Sequence, residues 1–79
     1  MSAFDEFSPS NGTWNTLRWA QEMGASTLGE AYDMLDQFEN SNDVPEVLGE
    51  DDTIEAVREE IEFGLDTVGP DTDLSTALG

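Results

Sequence analysis

The net charge is the feature that most constrains this chain. Its 79 residues include 19 Asp and Glu but only two cationic side chains, Arg18 and Arg58, so the formal charge is −17. Charges at this density repel one another in any compact state. Binding to nucleic-acid phosphates requires several Lys or Arg contacts. The charge therefore excludes direct nucleic-acid binding and leaves three possibilities: the chain attracts cations, basic proteins or nothing but water.

The composition also excludes most kinds of catalytic and metal chemistry. The chain has no His and no Cys, so it cannot form disulfides, thiolate or imidazole metal sites, or Cys- or His-based active sites. No Gly-rich phosphate loop or nucleophile elbow is present. The acidic segments at 40–43 and 71–73 do not complete an EF-hand calcium loop. We expect no enzymatic activity, no cofactor and no specific metal site.

The pattern of apolar residues predicts the fold class. A chain of this length forms one small domain, here residues 1–79. Helical periodicity without strand alternation predicts an all-α domain of about three helices. We expect an irregular N-terminal lead over 1–12, a helical core over 13–69 and a C-terminal tail over 70–79.

Capping residues and stop signals give the bounds of the first two helices. The first is predicted over 13–23, because Gly24 supplies a stop signal. The second begins after Thr27, which forms a capping box with Glu30, and ends in Asn40-Ser41-Asn42. Residues 43–49 are expected to form a connection between this helix and the next.

The third helix has the strongest pattern. Asp51 or Asp52 is predicted to cap it, and Gly69-Pro70 is predicted to end it. When its residues are placed at about 100° intervals, the apolar positions share one face and five carboxylates form a stripe beside that face. The stripe consists of Asp52, Glu55, Glu59, Glu62 and Asp66.

The linear charge density of this helix is close to that of a DNA strand. Residues 50–66 hold eight acidic side chains against Arg58 and span about 25 Å at about 1.5 Å per residue. This gives one net charge per roughly 3.6 Å of helix. One strand of B-DNA carries a phosphate about every 3.4 Å, which is nearly the same spacing. We interpret the stripe as a surface for a basic groove; the alternative is an ordinary solvated helix face.

Other residues extend the candidate surface. The second helix contributes acidic side chains opposite its apolar face, and Phe63 lies beside the stripe. Phe63 is either an aromatic anchor for the partner or a residue packed under the tail or the N-terminal lead. The candidate partner-binding residues are Glu30, Asp33, Asp36, Glu50, Asp51, Asp52, Glu55, Glu59, Glu62, Phe63 and Asp66.

Both arginines are interpreted as local neutralising residues. Arg18 can stack on the ring of Trp14 and pair with Glu22, each of them four residues away. Arg58 can pair with Glu55 or Glu62 on the same helix.

Localisation can also be predicted from the sequence. Residues 1–6 carry no positive charge and no apolar run, so we expect no signal peptide. No stretch approaches the 18 or so apolar residues that span a bilayer. We expect a soluble intracellular protein that binds no membrane.

In its charge of −17, its lack of Lys and its carboxylate-striped helices, the whole chain resembles the DNA-mimic inhibitors encoded by phages and mobile elements. These are the anti-CRISPR and anti-restriction proteins. Within them, the resemblance suggests an anti-CRISPR acting on a type I surveillance complex (Cascade), with type I-C as the suspected subtype. The resemblance implies a viral protein in the host bacterial cytoplasm that occludes the basic surface receiving target DNA.

Two other functions are consistent with the same residues. A haloarchaeal domain adapted to molar salt also replaces Lys with Asp and Glu, and its charge then reflects the solvent instead of a partner. An acidic adaptor or antitoxin would bind a basic protein through exposed aromatic side chains, for which Phe4, Phe7 and Phe63 are candidates.

Overall fold

The all-α prediction is confirmed by the computed structural model, which describes residues 10–49 and 52–75. The expected number of about three helices is wrong, because the predicted second helix is divided and the 43–49 connection contains a helix. The helices within the described ranges are α1 (Asn11–Glu22), α2 (Leu28–Asp33), α3 (Leu35–Glu39), α4 (Val44–Leu48) and α5 (Ile54–Thr67).

Helix α1 ends just before Gly24, as predicted, but it begins at Asn11, two residues earlier than predicted. Its cap is Ser10, whose side chain accepts a hydrogen bond from the backbone N–H of Thr13. At the other end Gly24 has φ +116°, a conformation that favours glycine. The N–H of Ala25 bonds to the carbonyl of Ala20 at 2.9 Å, which completes a Schellman turn.

Helices α2 and α3 replace the single helix predicted after Thr27. Thr27 caps α2 as predicted, by accepting a hydrogen bond from the Glu30 N–H at 3.3 Å. The helix is then interrupted at Met34, where ψ is −4°. The interruption leaves the buried face intact, since Leu35 and Phe38 of α3 are both buried.

The segment after α5 closes the fold. The first two residues of α2, Leu28 and Gly29, donate backbone hydrogen bonds to the carbonyls of Thr72 at 2.9 Å and Pro70 at 3.0 Å. These N–H groups at a helix start have no partner within their own helix. Leu74, two residues after Thr72, lies in the core and is fully buried.

Every helix contributes to one hydrophobic core. Trp19 of α1 packs against Phe38 of α3, with ring centroids 4.9 Å apart. Helix α4 lies on α1, where the Asn15 side chain bonds to the carbonyl of Val47 at 3.2 Å. The buried apolar residues are Leu17, Ala20, Ala25, Leu28, Ala31, Leu35, Phe38, Leu48, Val57, Ile61 and Leu74.

Candidate partner-binding surface

Helix α5 presents four acidic side chains to solvent along one side. All four are exposed, and they extend over about 16 Å of helix at about 1.5 Å per residue. Each follows the one before it by three or four residues, the spacing that places side chains on one side of a helix. We call this set the α5 row; it consists of Glu55, Glu59, Glu62 and Asp66.

Most carboxylates of the α5 row face only solvent. Within the described residues, Glu55, Glu59 and Asp66 accept no side-chain hydrogen bond and form no ion pair. Glu62 accepts a hydrogen bond from the hydroxyl of Tyr32 on α2 at 2.5 Å. The row therefore presents charge that is not neutralised by the fold.

Asp52 does not belong to the row. It precedes α5 and is half-buried, and its Oδ2 accepts the backbone N–H of Gly12 at 3.1 Å. The predicted cap at Asp51 or Asp52 is wrong, because Thr53 caps α5 by accepting the Ala56 N–H at 3.1 Å. Asp52 instead serves the start of α1, while Glu50 and Asp51 lie outside the described residues.

Glu60 has a structural role that sequence reasoning missed. Its Oε1 accepts the backbone N–H of Ser10 at 2.9 Å. Its Oε2 accepts hydrogen bonds from the hydroxyls of Ser10 at 2.8 Å and Thr13 at 2.9 Å. A carboxylate is favoured at a helix N-terminus, where N–H groups and the helix dipole are positive. Asp52 and Glu60 together therefore hold the start of α1 against α5.

Glycine at position 12 is required by this contact. A Cβ at Gly12 would lie 2.5–2.7 Å from the Oδ2, Cγ and Cβ atoms of Asp52. We expect Gly12→Ala to lower the free energy of unfolding by about 1–3 kcal/mol, because Asp52 must be displaced. Urea denaturation measures this change. In an Asp52→Gly background, which removes all three of these atoms, the same substitution should be neutral or stabilising, as Gly→Ala usually is in a helix.

These internal roles make the exposed charge sparser than predicted. Four charges over about 16 Å are spaced by roughly 5 Å, compared with about 3.4 Å along a DNA strand. Of the eight acidic residues counted between 50 and 66, two bind α1 and two lie outside the described residues. The α5 row therefore matches the spacing of a DNA strand less closely than the sequence indicates.

The acidic residues of α2 and α3 are exposed but divide between two surfaces. Asp36 faces α5, where it lies 3.6 Å from Arg58; Glu39 lies 3.3 Å from the same guanidinium. Glu30 and Asp33 line a groove beside Met23 and Met34 instead. Of the three predicted contributors from the second helix, only Asp36 therefore lies beside the α5 row.

The two arginines differ in how well they were predicted. The Arg18 guanidinium lies 5.5 Å from the ring centroid of Trp14, as predicted, but the predicted ion pair with Glu22 is not formed in the part of the chain that the structure describes. The predicted pairing of Arg58 with Glu55 or Glu62 is wrong. Arg58 extends from α5 toward α3 and pairs with Asp36 and Glu39, a contact between elements that residue spacing within one helix could not reveal.

Phe63 lies on α5 beside the row and is 57% exposed. Phe4 and Phe7, the other aromatic residues considered for partner binding, lie outside the described residues. Among the aromatic candidates, Phe63 is thus the one that the structure places next to the exposed carboxylates.

The pKa of the Tyr32 hydroxyl depends on one carboxylate of the α5 row. Its hydrogen bond to the Glu62 carboxylate raises the pKa of Tyr32 above its ordinary value of 10.0, with further increases from burial and the Glu62 charge and an opposing effect of Arg58. The hydrogen bond from the protonated Tyr32 phenol to Glu62 therefore stabilises the folded state below about pH 10. This contribution is lost as the pH rises through the higher pKa of the folded state.

We expect Glu62→Gln to lower the pKa of Tyr32, because it removes the carboxylate that holds the phenolic proton. Tyr32 is the only tyrosine in the chain, so ultraviolet absorbance of tyrosinate measures this pKa directly. Glu55→Gln changes the charge equally without touching Tyr32 and is the matched control. Equal decreases in both variants would contradict a specific bond to Glu62.

No family model, curated protein or solved structure matches this chain. Residues 10–49 and 52–75 contain no cluster of acidic side chains arranged to hold a metal ion. None of the helices in these ranges has the length and apolar character needed to cross a bilayer.

Proposed function

We propose that this chain is an anionic inhibitor that occupies the basic, DNA-receiving surface of a CRISPR surveillance complex of type I (Cascade) in a bacterial host. The observation that carries the proposal is the α5 row: four exposed carboxylates on one side of one helix. The cation on this helix, Arg58, is held by Asp36 and Glu39 at its border with α3.

A helix is a suitable carrier for such a mimic. Its backbone fixes the spacing of the carboxylates, so little order has to be gained when a row of Lys and Arg side chains approaches. Opposite charges then speed the encounter and release counterions, as they do when the same surface binds phosphates. These gains are largest at low ionic strength, since salt screens them.

The length of the α5 row limits what it can replace. About 16 Å corresponds to about five base pairs at a rise of 3.4 Å per pair. This matches a short recognition element better than a full guide–target duplex. We therefore propose that the row covers the basic residues that read the PAM or follow the adjacent backbone.

Inhibition of DNA binding tests this function. Purified Cascade is mixed with the protein before labelled target DNA is added, and bound DNA is measured by gel shift. We expect DNA occupancy to fall as the protein is titrated and to recover at raised salt. Full occupancy in the presence of excess protein would remove this mechanism.

Adaptation to high salt is a second candidate, favoured by acidic residues exposed on every helix. Glu22, Glu46 and Asp33, for example, are exposed on α1, α4 and α2. A halophilic domain should unfold near 0.1 M salt, where repulsion is screened least, and an inhibitor should stay folded there. Melting temperatures at about 0.1 M and at molar salt distinguish the two.

The adaptor alternative is favoured by the exposure of Phe63. It predicts that Phe63→Ala weakens binding of the basic partner more than neutralising Glu55 and Glu59 does. The mimic proposal predicts the opposite order, and the same gel-shift assay compares them.

A further inference from the structure

A shallow groove lies on a different side of the molecule from the α5 row. Its volume is about 410 Å³, and it is formed where the end of α1 meets α2 and α3. Glu30, on its rim, lies about 160° around α2 from Tyr32, the residue that faces α5. The groove and the α5 row therefore cannot be covered by one flat surface of a partner.

The groove combines an apolar floor with an acidic rim. Met23, Ala25 and Met34 supply the apolar part, and Met23 is 58% exposed. Methionine side chains are flexible and polarisable, so they adapt to apolar groups of different shapes. Glu30 and Asp33 supply two exposed carboxylates.

The end of α1 makes the groove more negative. The C-terminus of a helix carries partial negative charge and is usually accompanied by Lys, Arg or His. The last turn of α1 contains no basic residue. No cationic side chain lines the groove either, since its other two lining residues are Gly24 and Gln37.

We propose that this groove binds a basic amphipathic helix of a partner protein. Apolar side chains of that helix would contact the methionine floor, and Arg or Lys side chains at its borders would pair with Glu30 and Asp33. The described residues expose no sheet edge to which an extended peptide could add as a strand. The proposal is independent of the α5 row and does not require the proposed function to be correct.

A synthetic peptide tests this inference. The probe is a helical peptide with Leu on one face and Arg along its borders, and the control peptide carries Gln in place of Arg. We expect the Arg peptide to bind and to shift the backbone NMR signals of Met23 to Ala25 and Met34. Absence of binding, equal binding of both peptides, or shifts confined to α5 would overturn the proposal.

Two charge-matched variants separate groove binding from general attraction. Glu30→Gln with Asp33→Asn should weaken the Arg peptide by about tenfold, since two charge pairs are lost. The Gln at position 30 retains the capping interaction with Thr27. Glu55→Gln with Glu59→Gln removes the same charge from α5 and should weaken binding by less than about twofold. Equal losses would show that only total charge matters.

Met23→Ser tests the apolar floor without changing charge. Because Met23 is largely exposed, the substitution should leave the melting temperature unchanged. We expect the variant to bind the Arg peptide more weakly than the unmodified protein does. This difference in affinity should remain at raised salt, where the charge pairs are screened. An unchanged affinity would overturn the role assigned to the methionines.

Discussion

Under the proposed function, reversing three carboxylates of the α5 row will abolish inhibition of Cascade while the helix content stays unchanged. The variant is Glu55→Lys, Glu59→Lys and Asp66→Lys, which leaves the Glu62 bond to Tyr32 in place. Each exposed charge pair contributes about 0.2–1 kcal/mol, and reversal replaces attraction with repulsion. The combined effect should weaken binding by about 100-fold. Gel shift measures the inhibition, and circular dichroism checks the fold.

The control for this variant carries the same change in total charge on other surfaces. Glu22→Lys, Glu46→Lys and Asp71→Lys alter exposed residues of α1, α4 and the tail. We expect this protein to inhibit nearly as well as the unmodified chain at physiological salt, where distant charges are screened. If both variants lose inhibition equally, the arrangement of the row is irrelevant and the mimic proposal is wrong.

Glu60→Ala will be the most destabilising substitution among the acidic residues of α5. It removes the acceptor of three hydrogen bonds from Ser10 and Thr13 at the start of α1. Hydrogen bonds to a charged group contribute about 1.5–3 kcal/mol, so we expect a loss of about 2–3 kcal/mol for this half-buried group. A domain of this size rarely has more than about 3–5 kcal/mol to lose. Urea denaturation measures the shift in midpoint.

The neighbouring residue provides the control. Glu59→Ala removes an exposed carboxylate that forms no hydrogen bond or ion pair with the described residues, and it also reduces repulsion along α5. We expect its midpoint to be unchanged or slightly higher. Similar destabilisation by both substitutions would contradict the separate roles that the structure gives to Glu59 and Glu60.

Local signals in the sequence predicted much of the fold. The stop at Gly24, the cap at Thr27 and the buried face of α5 depend on residues within one or two turns of each other, and the structure has all three. Helix α4 also had a local signal that was missed, because Pro45 stands near its start, where proline favours a helix.

The errors concern contacts between distant parts of the chain. Asp52 and Glu60 bind the start of α1 some 40 or more residues away, so no spacing within α5 marks them as different from Glu59. The hydrogen bond from Arg58 to Glu39 also joins two different helices, so residue spacing within α5 does not predict it. The interruption at Met34 has no local sequence signal, since no Gly or Pro occurs there. Sequence could place the carboxylates on a helix, but only tertiary structure shows which are available to a partner.

The contacts that Pro70 and Thr72 make with the start of α2 bear on how the protein folds during synthesis. Domains generally fold as units as they leave the ribosome. Here the first turn of α2 and the core both need residues that are made some 40 or more residues later in the chain, including the buried Leu74. A nascent chain halted before this point lacks those contacts, so the last folding step must wait until the segment has cleared the exit tunnel.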